Sequence, residues 1–308
     1  MILTITLNPC IDKSSVVEKI KPESKLRCTD VLHEPGGGGI NVSKALQKLD
    51  VKSIALFPAG GHNGSMLEGL LTKSNIDFQA VDTKVETREN WIMLETSTND
   101  QYRFTFPGQP VEQEAVETLI DTIRSFAPTY VVASGSLPPG LPDHFYGLIV
   151  KTANAVGAKC IVDTSGPALQ AIKGKHAFLI KPNISELSKM LAVEELKTNE
   201  VADAAQQAVR DGFAEILVVS MGPDGAWLVS DDRRYFAAAP PVEKRSTVGA
   251  GDSMVAGITY QLQKGGTLRQ ALQFGIACGS AATMNHGSQL FKSEDAFRLF
   301  EIIRDNHV

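Results

Sequence analysis

Cysteine is scarce and scattered: Cys10, Cys28, Cys160 and Cys278 are the only four in 308 residues, and no two form a C-x-x-C pair. That spacing argues against both a zinc cluster and a disulfide framework. An excess of positive charge is also missing. Thirty Lys and Arg face 35 Asp and Glu, for a net charge of −5, so neither nucleic acid nor an anionic membrane is an expected partner. No apolar run approaches the length of a membrane span. The opening Met1-Ile2-Leu3-Thr4-Ile5-Thr6-Leu7 has no basic leader and is too short for a signal peptide, so a cytoplasmic protein is expected. Internal repeats and low-complexity tails are absent from the sequence. Two nucleotide signatures are absent as well. The glycine run at 36–39 is not followed by Gly-Lys-Ser/Thr, and no G-x-G-x-x-G opens at the right spacing after a strand.

What remains is ordinary for a soluble globular chain, with 43% hydrophobic and 21% charged residues. The length suits one large α/β domain, or one domain with a small attachment. Residues 2–7 alternate apolar residues with Thr and predict a strand that ends in Asn8-Pro9-Cys10-Ile11-Asp12. Short β-prone pieces at 14–17 and 27–32, interleaved with Lys13, Lys19, Lys21, Lys25 and Arg27, predict strands that leave the main sheet and form part of a lid. Pro35-Gly36-Gly37-Gly38-Gly39-Ile40-Asn41 leads into a predicted helix over 42–49, with Asn41 as its cap. Strand 53–58, helix 64–73 and strand 77–81 follow. Strands 88–94 and 101–106 come next, joined by a turn-rich stretch. In the second of these, Tyr102, Phe104 and Phe106 share one face and Arg103 lies on the other. The aromatic face needs a cover, for which a second subunit would serve. Arg103 is expected to point into the cleft and to converge with Arg88 on a phosphate.

From 111 onward the rhythm is strand and helix in alternation, which implies a parallel sheet covered by helices on both faces. Helices are predicted over 112–126, 142–156 and 200–211, the last capped by Asn199. Strands are predicted over 130–133, 160–163, 178–180 and 216–219. A small hairpin at 226–229 and 234–239 precedes three helices, over 250–263, 267–284 and 294–305. The turn residues after successive parallel strands should collect along one edge of the sheet, where such sheets bind ligands.

The organising stretch is Thr247-Val248-Gly249-Ala250-Gly251-Asp252, at the head of an apolar helix. Small residues at a helix N-terminus leave backbone N–H groups open to an anion. A carboxylate placed there repels the anion unless it has another task, and taking a proton from a hydroxyl is one that suits it. The alternative is a simple helix cap. Asn183-Ile184-Ser185-Glu186 sets an amide and a carboxylate three residues apart, suited to water-mediated Mg²⁺ or, alternatively, to a capping box. Ser220-x-Gly222-x-x-Gly225 fits either a nucleotide passing a strand end or an ordinary turn. Asp12 reads as a sugar-hydroxyl acceptor or as a turn residue, and the glycine run reads as backbone that approaches a ligand or as a hinge. Taken together, anion-binding glycines, a placed carboxylate, an Asn/Glu pair and a basic lid are the parts of phosphoryl transfer to a sugar hydroxyl.

The stretches at 25–29, 34–42, 57–61, 101–104, 134–140, 181–183 and 246–254 make the chain resemble the ribokinase (PfkB) family of sugar kinases over nearly its full length, and within it the 6-phosphofructokinase branch. The resemblance implies a ribokinase-like three-layer α/β sandwich spanning 1–308, with a mainly parallel central sheet and a small β-lid contributed by 13–35 and 87–107. It implies ATP-dependent phosphorylation of fructose 6-phosphate at the 1-hydroxyl, with Asp252 as base and Gly249, Ala250 and Gly251 as the anion hole. Asp12, Gly37, Gly38, Gly39 and Asn41 would hold the sugar, and Lys25, Arg88, Arg103 and Ser136 its phosphate. Lys181, Asn183, Ser220, Gly222 and Gly225 would line the ATP site, with Asn183 and Glu186 acting on Mg²⁺ through water. Ser246, Val248, Ala282, Asn285 and Gly287 would hold a monovalent cation, K⁺. A homodimer through the lid is implied too. Departures exist: Leu7-Asn8-Pro9-Cys10-Ile11-Asp12 looks more like 1-phosphofructokinases and tagatose-6-phosphate kinases, whereas the glycine run lacks the Lys usual in those enzymes. Gln289 replaces a basic residue near the cation loop. Phosphorylation of fructose 1-phosphate or tagatose 6-phosphate is therefore the alternative enzyme reading. A sugar-phosphate-binding regulator without catalysis is the alternative of another class.

Overall fold

The computed structural model describes residues 1–285 and 289–305. The first third of the chain supplies β1 (Ile2–Ile5), β2 (Cys10–Val17), β3 (Thr29–Gly36), α1 (Gly38–Lys48), β4 (Ser53–Ala59), α2 (Gly61–Lys73), β5 (Phe78–Asp82), β6 (Arg88–Glu95) and β7 (Asp100–Thr105). Then come α3 (Gln113–Phe126), β8 (Tyr130–Ser134), α4 (Phe145–Ala155), β9 (Lys159–Asp163), α5 (Gly166–Gln170), β10 (Ala177–Ile180) and α6 (Ile184–Met190). The last part holds α7 (Val201–Arg210), β11 (Ala214–Ser220), β12 (Ala226–Ser230), β13 (Arg234–Ala237), α8 (Ala250–Gln263), α9 (Leu268–Thr283) and α10 (Ser293–Asp305).

Nine strands form the main sheet in the order β13-β12-β11-β10-β9-β8-β1-β4-β5. All neighbours from β11 to β5 are parallel, and β12 and β13 are added antiparallel at one edge. Side chains alternate across a strand, and the core divides accordingly. Leu3, Ile5, Val131 and Ala133 pack with Ile123, Ile149 and Val201 from α3, α4 and α7. Ile2, Tyr130 and Val132 pack on the other face with Val42, Val255, Phe274 and Leu299 from α1, α8, α9 and α10. The result is the expected helix–sheet–helix sandwich. A second sheet of four strands, in the order β3-β2-β6-β7, stands beside it. Its two central strands, β2 and β6, run parallel, and β3 and β7 close the outer edges antiparallel.

Several local expectations need correction. Helix α1 starts at Gly38 with Gly37 as its N-cap, so Asn41 sits inside the first turn and does not cap it. Helix α2 starts at Gly61, three residues before the predicted start, and α4 starts at Phe145, three residues after it. Asn199 lies in a 3-10 turn, and α7 follows from Val201. The short α5 was not predicted, because five residues opened by Gly166 and Pro167 carry no helical period. The capping box of Thr267 and Gln270 is present at the head of α9.

Candidate active site

Parallel strands put their C-terminal ends on one edge, so the loops after β1, β8, β9, β10 and β11 meet there. The head of α8 points into the same place. Gly249 caps that helix in the left-handed region at φ 70°, and a Cβ on it would stand 2.4 Å from the Leu290 side chain. The turn therefore requires glycine. Ala250, Gly251 and Asp252 are its first three helical residues, whose N–H groups have no carbonyl within the helix to meet.

Asp252 does not cap this helix. Its Oδ2 accepts a hydrogen bond from Asn41 Nδ2 at 2.9 Å, and its Oδ1 accepts one from Ser134 Oγ at 3.3 Å. The carboxylate is thus clamped between α1 and the end of β8. Burial and the nearby Asp163 push its pKa up to about 6, against the lowering influence of Asn41, Lys181 and Ser134. A carboxylate in that range is a stronger base than an exposed one and is still ionised at neutral pH. The Oδ1 of Asn41 is buried with no partner among the described residues. It is an acceptor beside Asp252, able to take a hydrogen bond from a hydroxyl.

On one side of Asp252 lie the residues expected to hold a sugar phosphate. Asp12 is buried, and its Oδ1 accepts from Asn90 Nδ2 at 2.9 Å and from the Cys10 thiol at 3.3 Å. The glycine run is packed tightly by the protein itself. A Cβ at Gly36 would fall 2.3 Å from Asp12 Oδ2, one at Gly38 2.3 Å from Ser134 Oγ, and one at Gly39 2.4 Å from the Ile5 carbonyl. Gly37 has φ 120°. The run must be glycine because it lies directly on the ends of β1, β2 and β8. Arg88 donates to the Asn8 carbonyl at 3.0 and 3.2 Å, to Asn90 Oδ1 at 2.8 Å and to the Phe106 carbonyl at 2.9 Å. Asn8 in turn donates to Ser136 Oγ at 3.2 Å, which brings Ser136 to the Arg88 corner.

Two expected members are not brought there within one chain. Arg103 is exposed, pairs with Ile92 across the strands, and donates to Gln101 Oε1 at 3.0 and 3.2 Å. It shares a face with Arg88 but stands on β7 opposite Ile92, four residues along from Arg88, so the two guanidinium groups do not converge. Lys25 is exposed in the loop between β2 and β3.

On the other side of Asp252 a cleft of about 850 Å³ is lined by Lys181, Asn183, Glu186, Ser220, Gly222 and Gly225. Ala250 and Gly251 of the α8 turn also line it. Lys181 is buried and pairs with Asp163 at 3.1 Å. Burial alone would lower its pKa, but the Asp163 carboxylate holds it above the ordinary value. Asn183 and Glu186 form a reciprocal capping box on α6, with Glu186 N donating to Asn183 Oδ1 at 2.9 Å and Asn183 N to Glu186 Oε2 at 2.8 Å. Burial raises the Glu186 pKa. The pair offers oxygen donors on the cleft wall, the ligand chemistry that Mg²⁺ with its waters accepts.

The monovalent-cation candidates lie in the loop before α8 and at the end of α9. The N–H of Ser246 donates to the Thr283 carbonyl at 3.2 Å, which ties the 245–248 loop to the end of α9, and Val248 N donates to Ser246 Oγ at 3.2 Å. Asn285 N donates to the Ala282 carbonyl at 3.2 Å. The set consists of hydroxyl, amide and carbonyl oxygens, as a K⁺ site needs. Gly287 lies outside the described residues.

Sequence reasoning missed Asn8, Asn90, Ser134 and Asp163, all of which hold site residues. Asp163 and Ser134 carried a readable signal, since each ends a parallel strand on the ligand edge. Asn90 carried none, because its role depends on the β2–β6 pairing.

The chain is similar to known proteins over nearly its whole length. The family model described as pfkB family carbohydrate kinase matches residues 4–295. ATP-dependent 6-phosphofructokinase isozyme 2 of Escherichia coli K12 is 39% identical over 301 residues, covering 97% of each chain. A 1-phosphofructokinase of Bacillus subtilis is 32% identical over 92% of this chain and 93% of its own. Among solved structures, phosphofructokinase-2 from Escherichia coli in complex with potassium superposes with a TM-score of 0.94 at 39% identity. The same enzyme in complex with fructose-6-phosphate gives 0.93 at 37%, and both cover 98% of this chain and 99% of that one.

Proposed function

The chain belongs to the pfkB family of carbohydrate kinases, and on that premise we propose that it transfers the γ-phosphoryl group of ATP to the 1-hydroxyl of fructose 6-phosphate. The observation that carries the reading is the placement of Asp252. Its carboxylate is held by Asn41 and Ser134 in the first turn of α8, whose Ala250 and Gly251 line the cleft that holds Lys181. As the hydroxyl oxygen bonds to the γ-phosphorus, its proton passes to an Asp252 oxygen and the bond to the β-phosphate oxygen breaks, releasing ADP. Backbone N–H groups of Gly249, Ala250 and Gly251 face the charge that develops on the transferring group. Asp12, Asn41, Gly37, Gly38 and Gly39 hold the sugar; Arg88 and Ser136 hold its phosphate.

ATP occupies the cleft with its phosphates toward Lys181, and the adjacent Ser220, Gly222 and Gly225 line its course. Mg²⁺, held through water by Asn183 and Glu186, supplies charge neutralisation on the phosphates when bound. K⁺ is held by the oxygens of Ser246, Val248, Ala282 and Asn285.

Segments 13–35 and 87–107 act as the lid over the sugar. Trp91, Tyr102, Phe104 and Phe106 are 46, 38, 48 and 42% exposed on one face of the lid sheet, more aromatic surface than an unpartnered sheet leaves in water. A second copy covers it, and the chain works as a homodimer. The same pairing is what carries Lys25 and Arg103 toward a phosphate, since within one chain neither reaches Arg88. No helix among the described residues is long and apolar enough to cross a membrane.

The test is ADP release with fructose 6-phosphate, fructose 1-phosphate and tagatose 6-phosphate, with and without K⁺. The highest kcat/KM should fall to fructose 6-phosphate. A preference for either other sugar overturns the substrate assignment, and binding without ADP release overturns the kinase.

A further inference from the structure

One feature of the lid sheet conflicts with ordinary strand pairing. Asp12 on β2 and Glu34 on β3 are directly opposed in the antiparallel register. Like charges at opposed positions destabilise a sheet, and here they sit where β3 leaves the lid and enters the body. Lys44 lies beside them. It projects from α1, three residues after Asn41, so the two share a helix face. Asn41 on that face holds Asp252 at 2.9 Å. Lys44 Nζ donates to the Pro35 carbonyl at 3.3 Å, the last residue but one of β3. Burial lowers the pKa of its ammonium group, and the carboxylates of Glu34, Asp12 and Asp252 act against that while Lys48 adds to it.

We propose that Lys44 is a positioning residue that ties the lid's return strand to the helix holding the base, and sets one positive charge among the carboxylates of Asp12, Glu34 and Asp252. The inference rests on the kinase reading above. One face of α1 then joins two events. Asn41 fixes the base, Lys44 fixes the strand that carries the lid, and a lid displaced at Pro35 displaces the sugar-holding Asp12 from the base.

Its charge has a separate signature. Asp252 is faced by Asp163 from β9, Lys181 from the end of β10, Ser134 from β8 and Asn41 from α1. Lys44 adds a second cation to Lys181 in this set, so removing it leaves the base harder to ionise.

The experiment compares Lys44→Met and Lys44→Arg with the wild type by ADP release over pH 5 to 9, with folding checked by thermal melting. Lys44→Met should lower kcat/KM for fructose 6-phosphate about tenfold or more, chiefly through KM, and move the acid limb of the profile upward. Lys44→Arg, which keeps charge and reach, should restore both. A folded Lys44→Met with wild-type constants and an unmoved acid limb overturns the proposal. So does a Lys44→Arg as impaired as the Met variant, which would make the position one of side-chain shape alone. Absence of turnover in the wild type overturns the kinase reading itself, and this inference with it.

Discussion

Asp252→Asn should cut turnover sharply and stabilise the protein, and the stabilisation should depend on pH. The side chain is isosteric. Its carbonyl oxygen can accept from Asn41 Nδ2, and its amide can donate to Ser134 Oγ, so the clamp survives. What disappears is a charge held in an unfavourable place. The folded-state pKa is raised from 3.8 to about 6. Below the unfolded value both states are protonated and the group costs nothing. As pH rises from 4 to 6 the unfolded chain ionises first, so stability is lost through that window and stays lost above it. At 1.36 kcal/mol per pKa unit the cost at pH 8 is about 3 kcal/mol, less whatever solvent at the cleft mouth screens. At pH 5 the same linkage gives about 1.5 kcal/mol. Urea denaturation of wild type and variant at both pH values should therefore show a variant more stable at each, with the gain roughly halved at the lower pH. Turnover should fall by about 10² or more with sugar binding retained. A variant no more stable than the wild type at pH 8, a gain independent of pH, or wild-type turnover would each refute the reasoning.

The wild-type kcat/KM should fall on the acid side with an apparent pKa near 6, as Asp252 takes up a proton; an unchanged rate down to pH 5 would remove it as the base. Glu186→Gln keeps the capping geometry on α6 but removes the charge, so the Mg²⁺ concentration for half-maximal rate should rise roughly tenfold while melting temperature holds, as a Mg²⁺ titration would show. Gly249→Ala must adopt φ 70° and displace Leu290; a loss of about 1–3 kcal/mol is expected by denaturant titration, with a larger fractional loss of kcat. Phe104→Asp, on the exposed face of the lid, should shift the sedimentation coefficient toward the monomer at micromolar concentration and raise KM for the sugar phosphate.

The layers were legible because the period of the sequence changes with structure. Alternation marked β1, and strand–helix alternation from 111 onward gave the parallel sheet and the edge where its loops collect. The errors have physical sources. Asn41 looked like a cap because Asn favours that position, yet the glycines before it are themselves helical. Once packed on the ends of β1 and β8, Gly38 and Gly39 have no freedom left to spend outside the helix. Arg88 and Arg103 share a face, as alternation predicts, but a shared face does not fix the register, and register put them four residues apart along β6. The parallel pairing of β2 with β6 left no local signal, so Asn90, which reaches Asp12 only through it, stayed hidden. Of the two readings of Asn183 and Glu186, the capping box is the one the backbone displays. It does not exclude the other, since an acceptor pair fixed on a helix start is also a rigid pair of oxygens.

Asp252 shows why residue type alone could not decide between cap and base. An aspartate that caps a helix spends its oxygens on its own first turn. Here no side chain caps that turn, whose Ala250 N–H meets the Thr247 carbonyl at 3.4 Å, and both oxygens are committed instead to α1 and β8. The glycine at Gly249 makes the arrangement possible, because a left-handed residue ends the incoming loop without a side-chain cap. The pKa then reflects a contest between neighbours. Lys181 would pull it down, but Lys181 is already paired with Asp163, whose carboxylate pushes the other way. On the proposed reading, the cation that would meet a phosphate is thus kept from suppressing the carboxylate that would take the hydroxyl proton. Both groups can stand beside one helix turn only because a third, Asp163, divides the field between them.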